Sequence, residues 1–385
     1  MSGVNLRTVE DASASLARAE PSFRIQTHER PGRPRGLMLC ALFTLAYRAL
    51  RCFDEAGIDV HALGNRASHG LRFSRRCASF TETDHPIDGV ADPALVAAIN
   101  QIIARHQIDF VFAGDQPATR ALIAMAADLD APCYPMPDLP TFDLLNDKSR
   151  FTALCSTLGI RCPPTRIFPD RAAMLAAASD GTLKLPAVIK PLSLDGNRGV
   201  TIVATAAELH AARVDYSPIL VQDFIPGDDI GASIYVERGV IRAYVCHRLR
   251  RARYTALDLP EVRTALTAIA AATVTSGILN FDMRLDPDSV VHFLECNPRV
   301  FYKMPLSMLI GVNFTRFGLA PRPITIDPVE PPPDAAVRSL KAILATLPTP
   351  WRLTPQDIAS LRYILTDPIP YLRENLRIDW EDRSY

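Results

Sequence analysis

The chain has 385 residues and a formal net charge of zero, and 48% of its residues are hydrophobic while 22% are charged. This length allows two or three compact units with a full apolar core, and the balanced charge gives no reason to expect nucleic acid or an anionic membrane as a partner. No apolar stretch is long enough to span a bilayer, and Arg7, Glu10 and Asp11 lie where a secretion signal needs an apolar run, so we expect a cytoplasmic protein.

Residues 1–35 are predicted to form an N-terminal arm outside the packed core. The stretch from Glu29 to Gly36 is basic, rich in proline and glycine, and poor in apolar residues. The sequence leaves open whether the arm is disordered or packs on a neighbouring molecule, and a homodimer is one assembly that it allows. The eight cysteines form no C-x-x-C pair, so we interpret them as small buried hydrophobes without disulfides.

Residues 36–138 alternate strand-like and helix-like patterns, which is typical of a mostly parallel sheet covered by helices on both faces. Strands are predicted at 37–40, 59–63 and 108–113, and helices at 45–56, from 93 and from 117. Gly57 is the expected end of the first helix, and Asp92 is the expected N-cap of the second. Because no G-x-G-x-x-G motif follows the first strand, a Rossmann-type dinucleotide site is disfavoured.

Residues 139–320, which follow a proline-rich linker at 132–140, have a mixed helical and strand pattern. A helical stripe at 151–158 ends at Gly159, and a second helix is predicted at about 260–275. Strands are predicted at 187–190, 200–203, 219–222, 230–236 and 240–246, with a hairpin at 278–297. This pattern predicts an α+β unit built on antiparallel sheets. A second linker at 321–333 leads to short helices around Trp351, Leu361 and Leu372.

The predicted hairpin carries a cluster of oxygen-bearing side chains. Its turn is D-P-D-S at 286–289, and pairing Leu285 with Val290 would place Asn280 opposite Glu295 and Asp282 opposite Phe293. The two-residue period puts four polar residues on one face: Asn280, Asp282, Glu295 and Asn297. Two carboxylates and an amide oxygen predict a Mg²⁺ site shared with phosphates. The alternative is a polar outer face, although Pro298 and Arg299 directly after the cluster are harder to explain that way.

Lys190 ends an apolar strand and precedes a loop that contains Gly196 and Gly199. Glycines allow close backbone approach, and successive loop amides can hold phosphate oxygens while a lysine supplies charge. A Lys-Pro pair before a polar loop is also common in ordinary surface hairpins, so this segment alone is weak evidence for phosphate binding.

Two further segments suggest nucleotide contacts. Lys148 lies in the first turn of a helix that Asn146 or Asp147 can cap, where a cation opposes the helix dipole and an added phosphate would resolve the conflict. The segment from Val221 to Asp229 breaks at Pro226-Gly227 and could offer its backbone to adenine and a carboxylate to ribose. The alternatives are a solvated lysine and an ordinary strand end.

The order of these segments resembles the ATP-grasp superfamily, in particular its carbamoyl-phosphate-synthetase-like and D-alanine–D-alanine-ligase-like members. The resemblance covers roughly residues 36–318, and its most specific part is the D-x(12)-E-x-N-P-R pattern that ends at Arg299. It implies a Rossmann-like pre-ATP-grasp domain at 36–138, an ATP-grasp domain at 139–320 with lobes at about 139–220 and 221–320, and a C-terminal extension at 321–385.

The resemblance also implies a role for each candidate residue. Lys148 and Lys190, with the loop of Gly196 and Gly199, would contact the phosphates of ATP. The adenine would be held by Asp223 and Ile225 with help from Gln222, and the ribose by Asp229 or less favourably by Asp228. Mg²⁺ or Mn²⁺ would be bound by Asp282, Glu295 and Asn297. Arg299 would orient the carboxylate or the transferred phosphoryl group, next to Lys190 and Asn280.

The sequence departs from the family pattern at several positions. Many members have Glu at position 222 or 223, and many ligases have an Arg at position 280 that helps to hold the acyl phosphate, where this chain has Asn280. Arg248, Arg251 or Arg253 could supply the missing charge or could belong to a basic loop. His247 is a weaker candidate, and we interpret it as a structural or exposed histidine.

The resemblance implies an ADP-forming carbon–nitrogen ligase that activates a small carboxylate as an acyl phosphate for attack by an amine. Two alternatives stay open at this stage. One is a bicarbonate-activating carboxylase or carbamoyl-phosphate-type enzyme, and the other is a non-catalytic ATP-binding regulatory module. The cofactors expected are ATP and Mg²⁺, and the partners are small molecules rather than nucleic acid. The identity of the acid and of the amine is not encoded in these motifs.

Overall fold

The computed structural model describes residues 32–192, 199–250, 252–319, 328–346 and 348–373. These residues form a four-stranded parallel sheet, a four-stranded antiparallel sheet and a six-stranded antiparallel sheet. The fold class predicted from the sequence is therefore confirmed. Gly196, Arg251 and the N-terminal arm up to residue 31 lie outside the described residues. No helix within the described ranges has both the length and the apolar character needed to cross a bilayer.

The parallel sheet has strand order β3-β2-β1-β4. Its strands are β1 (Arg35–Cys40), β2 (Asp59–Gly64), β3 (Cys77–Glu82) and β4 (Phe110–Ala113). Its helices are α1 (Phe43–Glu55), α2 (Pro93–His106) and α3 (Gln116–Met125). Met38 and Cys40 enter one apolar cluster while Leu37 and Leu39 enter another, so both faces of β1 are covered as predicted.

The second sheet has strand order β5-β8-β6-β7 with antiparallel neighbours. Its strands are β5 (Thr165–Phe168), β6 (Ala187–Pro191), β7 (Thr201–Val203) and β8 (Ile219–Asp223). The helices in this part of the chain are α4 (Leu139–Asn146), α5 (Lys148–Thr157), α6 (Arg171–Ser179) and α7 (Ala206–Ala211). Strand β5 was not predicted, because its four residues are all partly or fully exposed and carry no apolar run.

The third sheet has strand order β13-β12-β9-β10-β11-β14. Its strands are β9 (Asp228–Glu237), β10 (Val240–Arg250), β11 (Arg253–Leu257), β12 (Gly277–Leu285), β13 (Val291–Asn297) and β14 (Ala336–Arg338). Helix α8 (Pro260–Thr273) packs on one face through Val262 and Leu266, beside Ile230 and Leu279. The other face, with Tyr235 and Val245, joins the apolar cluster of the parallel sheet.

The hairpin of β12 and β13 is present, but its predicted register is wrong. A β-bulge lies between the pairs Asp282–Glu295 and Met283–Phe293, so Asp282 lies directly opposite Glu295. Asn280 in turn lies opposite Asn297. A bulge adds one residue to one strand, and turn composition alone does not reveal it. Leu285 also pairs with Val291 rather than with Val290, and the bulge compensates for this one-residue shift, so the four polar residues still share one face.

Both predicted linkers contribute to regular structure. Cys133 forms a parallel bridge with Val111 of β4, and Pro140 lies in the first turn of α4 rather than in a loop. In the second linker, residues 321–327 are outside the described ranges, while Val329 forms a parallel bridge with Ala243 of β10. Isolated bridges of this kind form with strands that are distant in the sequence. The local sequence does not reveal them, and the proline content of these segments therefore predicted loops.

The C-terminal segment packs against the six-stranded sheet and the parallel sheet. Strand β14 extends the six-stranded sheet beside β11. Helix α9 (Met304–Leu309), which precedes β14 in the chain, contacts α11 (Pro355–Leu365). A short helix α10 (Leu340–Leu344) precedes α11. The helices predicted around Trp351 and Leu361 are present, the first as a single 3-10 turn, and residues 368–373 are helical.

A buried polar cluster joins this C-terminal segment to the parallel sheet. Arg51 of α1 is fully buried; its Nη2 donates to the carbonyl of Tyr363 at 2.6 Å, and its Nη1 lies 4.0 Å from Asp367. The Asp367 carboxylate also accepts from Ser74 Oγ at 2.5 Å and from the Arg75 amide at 3.0 Å. A buried guanidinium is stabilised only when its charge and its donors are matched.

We predict that Asp367→Ala lowers the free energy of unfolding by about 3 kcal/mol, because it leaves Arg51 buried without its counter-charge. Urea unfolding followed by far-ultraviolet circular dichroism measures the change. The control is Asp130→Ala, which removes an exposed acid and should change stability by less than about 0.5 kcal/mol. Equal stability of the two variants would show that Asp367 does not hold the C-terminal segment.

Candidate active site

Two carboxylates face each other on the polar face of the six-stranded sheet. Asp282 of β12 and Glu295 of β13 are direct cross-strand partners. Burial and the neighbouring charge of Glu295 raise the pKa of Asp282 to about 6. Burial acts to raise the pKa of Glu295 as well, but Lys148 and Lys190 lower it overall. The pair therefore holds concentrated negative charge that nearby cations must balance.

Two lysines from different elements converge on this pair. Lys148 Nζ lies 3.2 Å from Glu295 Oε2, at the start of α5, whose N-cap is Asp147. Lys190 lies near the end of β6, and its Nζ donates to Gln222 Oε1 at 2.8 Å. Burial and the charge of Lys148 lower the pKa of Lys190 to about 8, against the opposing effect of Glu295. The structure thus brings together residues that the sequence separates by more than a hundred positions.

Asn297 and Arg299 extend the cluster toward the parallel sheet. Asn297 Nδ2 donates to Asp282 Oδ2 at 3.2 Å, and Asn297 Oδ1 accepts from Arg299 Nη2 at 2.8 Å. Arg299 Nη2 also donates to Gln116 Oε1 at 3.4 Å. A half-turn of the Asn297 amide would be needed to aim its oxygen at the carboxylates.

The residues present fit a hard divalent cation that is shared with phosphates. Asp282 and Glu295 supply carboxylate oxygens, and Asn297 can supply an amide oxygen. Within the described part of the chain, no group of three or more His, Cys, Asp or Glu residues is placed to hold a metal ion. Mg²⁺ usually takes one or two protein carboxylates and completes its shell with water and substrate phosphates, which suits this set.

Asn280 is buried beside the carboxylates and is fixed by the sheet. Its Oδ1 accepts a hydrogen bond from Ser233 Oγ of β9 at 2.9 Å, and its cross-strand partner is Asn297. An amide held in this way contributes no charge to the site. The site therefore has no positive charge at position 280.

The candidate nucleotide-base segment is held in place by Arg284, which the sequence analysis missed. Arg284 Nε donates to the Ile225 carbonyl at 3.0 Å, its Nη2 to the Gly227 carbonyl at 2.8 Å, and its Nη1 to Asp229 Oδ1 at 2.6 Å. Asp229 remains 76% exposed at its side chain, while Asp228 pairs with Arg248 at 3.0 Å. The signal for Arg284 was its position two residues after Asp282, on the same face of β12.

Gln222 and Asp223 are engaged with the protein itself. Gln222 accepts from Lys190 and donates through Nε2 to Thr165 Oγ1 at 2.9 Å, so its side chain positions the lysine. The Asp223 amide donates to the Pro164 carbonyl at 2.9 Å. Gly199 has φ +74°, and its carbonyl accepts from the Tyr216 hydroxyl at 2.6 Å, which fixes one end of the glycine loop.

Asp115 braces the parallel sheet beneath Arg299 and was also missed. Its buried carboxylate accepts from the amides of Ala41 and Leu42 at 2.7 Å and from Ala118 at 3.0 Å. Burial raises its pKa to about 6, although these three amides and Arg299 oppose the rise. The sequence signal was an aspartate between a strand and a helix that begins with proline. Asp115 fixes Gln116, which contacts Arg299.

Of the three basic residues considered as substitutes for an arginine at position 280, the two that the structure describes, Arg248 and Arg253, do not lie on the face of Asp282. Arg248 pairs across the sheet with Ile230, whose side chain enters the apolar cluster beneath α8, on the face away from Asp282. Arg253 pairs with Arg250, two residues along β10 from Arg248, and so lies on that same face. Arg251 is outside the described residues.

No protein-family model matches the chain, but individual curated proteins do. The large chain of carbamoyl phosphate synthase from Neisseria meningitidis serogroup B is 27% identical over 201 residues, which cover 46% of this chain. A D-alanine–D-alanine ligase from Anaeromyxobacter dehalogenans is 27% identical over 172 residues, 39% of this chain. The matches span 18% and 56% of those two proteins.

Solved structures resemble the chain over a larger share of its length. The biotin carboxylase domain of Hydrogenobacter thermophilus 2-oxoglutarate carboxylase, in complex with MgADP and bicarbonate, covers 77% of this chain and 72% of its own, with a TM-score of 0.59 and 16% identity. An L-amino acid ligase from Bacillus licheniformis covers 75% and 74%, with a TM-score of 0.55 and 17% identity. These likenesses establish a shared fold.

We predict that affinity for MgADP falls as the pH rises through about 8, because the charged form of Lys190 attracts phosphate and is lost above its pKa. The fall is limited to about tenfold per pH unit. Lys190→Met should bind MgADP more weakly at pH 7 and show a flat profile between pH 7 and 9. Isothermal titration calorimetry measures both, with the exposed Lys184→Met as the control. Wild-type affinity in Lys190→Met would remove Lys190 from the phosphate site.

Proposed function

This chain belongs to the ATP-grasp superfamily, and we propose a function for it on that basis. The proposed activity is an ATP- and Mg²⁺-dependent ligation that forms a carbon–nitrogen bond between a small carboxylate and an amine and releases ADP and phosphate. The observation that carries the proposal is the convergence of Lys148 and Lys190 on the Asp282–Glu295 pair. Two buried or half-buried cations beside two carboxylates form a site suited to a metal-bound polyphosphate.

The first step follows from charge. A carboxylate is a poor electrophile, because oxide would have to leave. One carboxylate oxygen attacks the γ-phosphorus of ATP, the bond to ADP breaks, and an acyl phosphate forms. We propose that Lys148 and Lys190 exchange their present partners, Glu295 and Gln222, for phosphate oxygens during nucleotide binding. Mg²⁺, held by Asp282, Glu295 and Asn297, would neutralise the transferred phosphoryl oxygens.

The second step is attack of the amine nitrogen on the acyl carbon. The carbon–oxygen bond to phosphate breaks, the nitrogen loses a proton, and phosphate leaves with one oxygen of the original acid. Arg299 is the proposed anchor for the acid, since it is buried and held by Asn297 and Gln116. It lies beside Asp282 and Glu295, the proposed metal pair. Catalysis of this kind rests on orientation and on prepositioned charge, so no protein nucleophile is needed.

The adenosine is proposed to lie along the segment from Gln222 to Asp229. Arg284 fixes this segment, and the exposed Asp229 carboxylate is available to ribose hydroxyls. Gly199 and the preceding glycine loop are proposed to cover the phosphates. We propose the domain division on the same basis, with 36–138 as the pre-ATP-grasp domain, 139–320 as the ATP-grasp domain, and lobes meeting near residue 220.

A second candidate is activation of bicarbonate by the same apparatus. Asn280 favours it specifically, because a neutral residue fixed to Ser233 stands where many ligases carry an arginine. The solved biotin carboxylase domain with a similar fold was crystallised with bicarbonate. ATP turnover that depends on bicarbonate and needs no organic acid would favour this candidate.

We predict that Glu295→Gln abolishes ATP turnover while retaining the fold, because an amide cannot replace a charged metal ligand opposite Asp282. The measurements are ADP release in a screen of carboxylates and amines, and the melting temperature. Glu237→Gln, on the same sheet but remote from the pair, is the matched control and should behave as wild type. Near-normal turnover in Glu295→Gln would refute the metal assignment.

We predict that phosphate released from an ¹⁸O-carboxylate substrate carries one ¹⁸O atom, because the acyl phosphate bridges through that oxygen. Mass spectrometry of the phosphate gives the result, and hydroxylamine should trap the intermediate as a hydroxamate. Label that must start in bicarbonate would identify the second candidate instead. Unlabelled phosphate from a consumed, labelled acid would rule out acyl phosphate formation.

A further inference from the structure

The polar face of the six-stranded sheet continues beyond the metal pair to a histidine. The directly paired positions on this face run Glu295, Asp282, Gly231 and His247 across β13, β12, β9 and β10. Cross-strand partners present their side chains on the same face. His247 therefore shares a face with the candidate metal ligands, whereas Arg248 and Arg253 do not.

His247 leans across β9 toward the metal pair. A Cβ on Gly231 would lie 2.7 Å from His247 Cε1 and 2.9 Å from Nε2, so the ring occupies the space that a side chain at 231 would need. Adjacent strands lie about 4.8 Å apart, so this ring edge is one strand away from Asp282. A residue larger than glycine at position 231 would therefore displace the imidazole.

The environment of His247 is not that of a satisfied core histidine. The residue is 1% exposed, and within the described ranges neither ring nitrogen has a hydrogen-bond partner. Its ring stacks on Tyr254 at 4.5 Å between centroids. Burial, together with the charge of Lys303, holds the pKa of His247 well below its ordinary value, so the ring is neutral. A neutral imidazole still offers one N–H donor and one acceptor.

Lys303 brings positive charge to the same place. It precedes α9, and its carbonyl accepts from the Ser307 amide at 3.2 Å, which places the two residues one turn apart on one helical face. Ser307 Oγ lies 2.8 Å from the Tyr254 hydroxyl, and Tyr254 is the residue that stacks on His247. The charge of Lys303 acts on both His247 and Asp282, so the lysine lies near both groups.

We infer that Lys303 and His247 together form the oxyanion subsite that holds the acyl phosphate, in place of the arginine that is absent at position 280. This inference rests on the proposed function. The ligand is the acyl oxygen and the adjoining phosphoryl oxygens of the intermediate: Lys303 supplies charge, and His247 supplies an N–H donor. When the amine attacks, the carbonyl oxygen gains negative charge, and donors aimed at that oxygen stabilise it most.

The test uses the reverse of the first step, which needs no knowledge of the natural acid. In that direction, the phosphoryl group passes from an acyl phosphate to MgADP, the phosphorus–oxygen bond to the acyl group breaks, and ATP and the free carboxylate are formed. The probes are acetyl phosphate and carbamoyl phosphate, and luciferase measures the ATP. Isothermal titration calorimetry measures MgADP affinity separately, and the melting temperature monitors folding.

Lys303→Met and His247→Phe should each lower kcat/KM for the acyl phosphate by about 100-fold, which is the loss expected for one oxyanion donor. MgADP affinity and melting temperature should stay unchanged, because neither residue is assigned to the nucleotide and Phe keeps the stack on Tyr254. Lys303→Arg, which keeps the charge, and His247→Gln, which keeps an N–H donor, should restore part of the rate. The matched controls are Arg248→Ala and Arg253→Ala on the opposite face, which should behave as wild type.

The possible outcomes distinguish failure of the oxyanion subsite from failure of the proposed function. If wild type makes ATP and Lys303→Met and His247→Phe do so equally well, the subsite is overturned while the ligase function stands. If Arg248→Ala or Arg253→Ala loses the rate instead, the charge comes from the other face and the inference is equally overturned. If wild type makes no ATP from either acyl phosphate, the proposed function fails, and the inference fails with it.

Discussion

Repulsion between Asp282 and Glu295 is the constraint around which the site is built. The bulge in the β12–β13 hairpin places these two carboxylates directly opposite each other, where burial increases the cost of their charge. Lys148 and Lys190 reduce that cost from one side. A site held in this way suits the proposed exchange of counter-charges with a metal-bound polyphosphate, because each lysine contacts a protein oxygen that a phosphate oxygen can replace.

The surrounding hydrogen bonds make this exchange possible without loss of geometry. Gln222 holds Lys190 at a fixed distance, and Ser233 holds Asn280 against the sheet. Arg299 connects Asn297 to Gln116, whose helix is capped by Asp115. The parallel sheet therefore helps to fix the position of Arg299 through Asp115 and Gln116. An acid held by Arg299 would accordingly lie between the parallel sheet and the six-stranded sheet.

The sequence predicts more of this site's composition than of its geometry. The oxygen-bearing residues of each strand share a face because strands have a period of two, and the bulge brings the residues of β13 onto the same face as those of β12. The bulge, and so the direct opposition of Asp282 and Glu295, lies beside Phe293, whose amide donates to the distant Arg161 carbonyl, a contact that no local pattern of the hairpin records. Arg284, Asp115 and Lys303 were missed because the groups they act on lie tens of residues away, and β14 because three residues give no period. His247 was interpreted as a weak candidate and more readily as a structural or exposed histidine, and its face is known only once β10 is paired with β9.

The C-terminal segment has a closer relation to the site than its position in the chain suggests. Val337 of β14 pairs with Tyr254 of β11, and Tyr254 both stacks on His247 and contacts Ser307 of the helix that follows Lys303. The same segment is tied to the parallel sheet through Arg51 and Asp367. A strand arginine at position 280 would need only its own hairpin to reach the site. Lys303, at the start of a separate helix, and His247, two strands away, need a common support. Tyr254, which is paired with the edge strand β14, provides it.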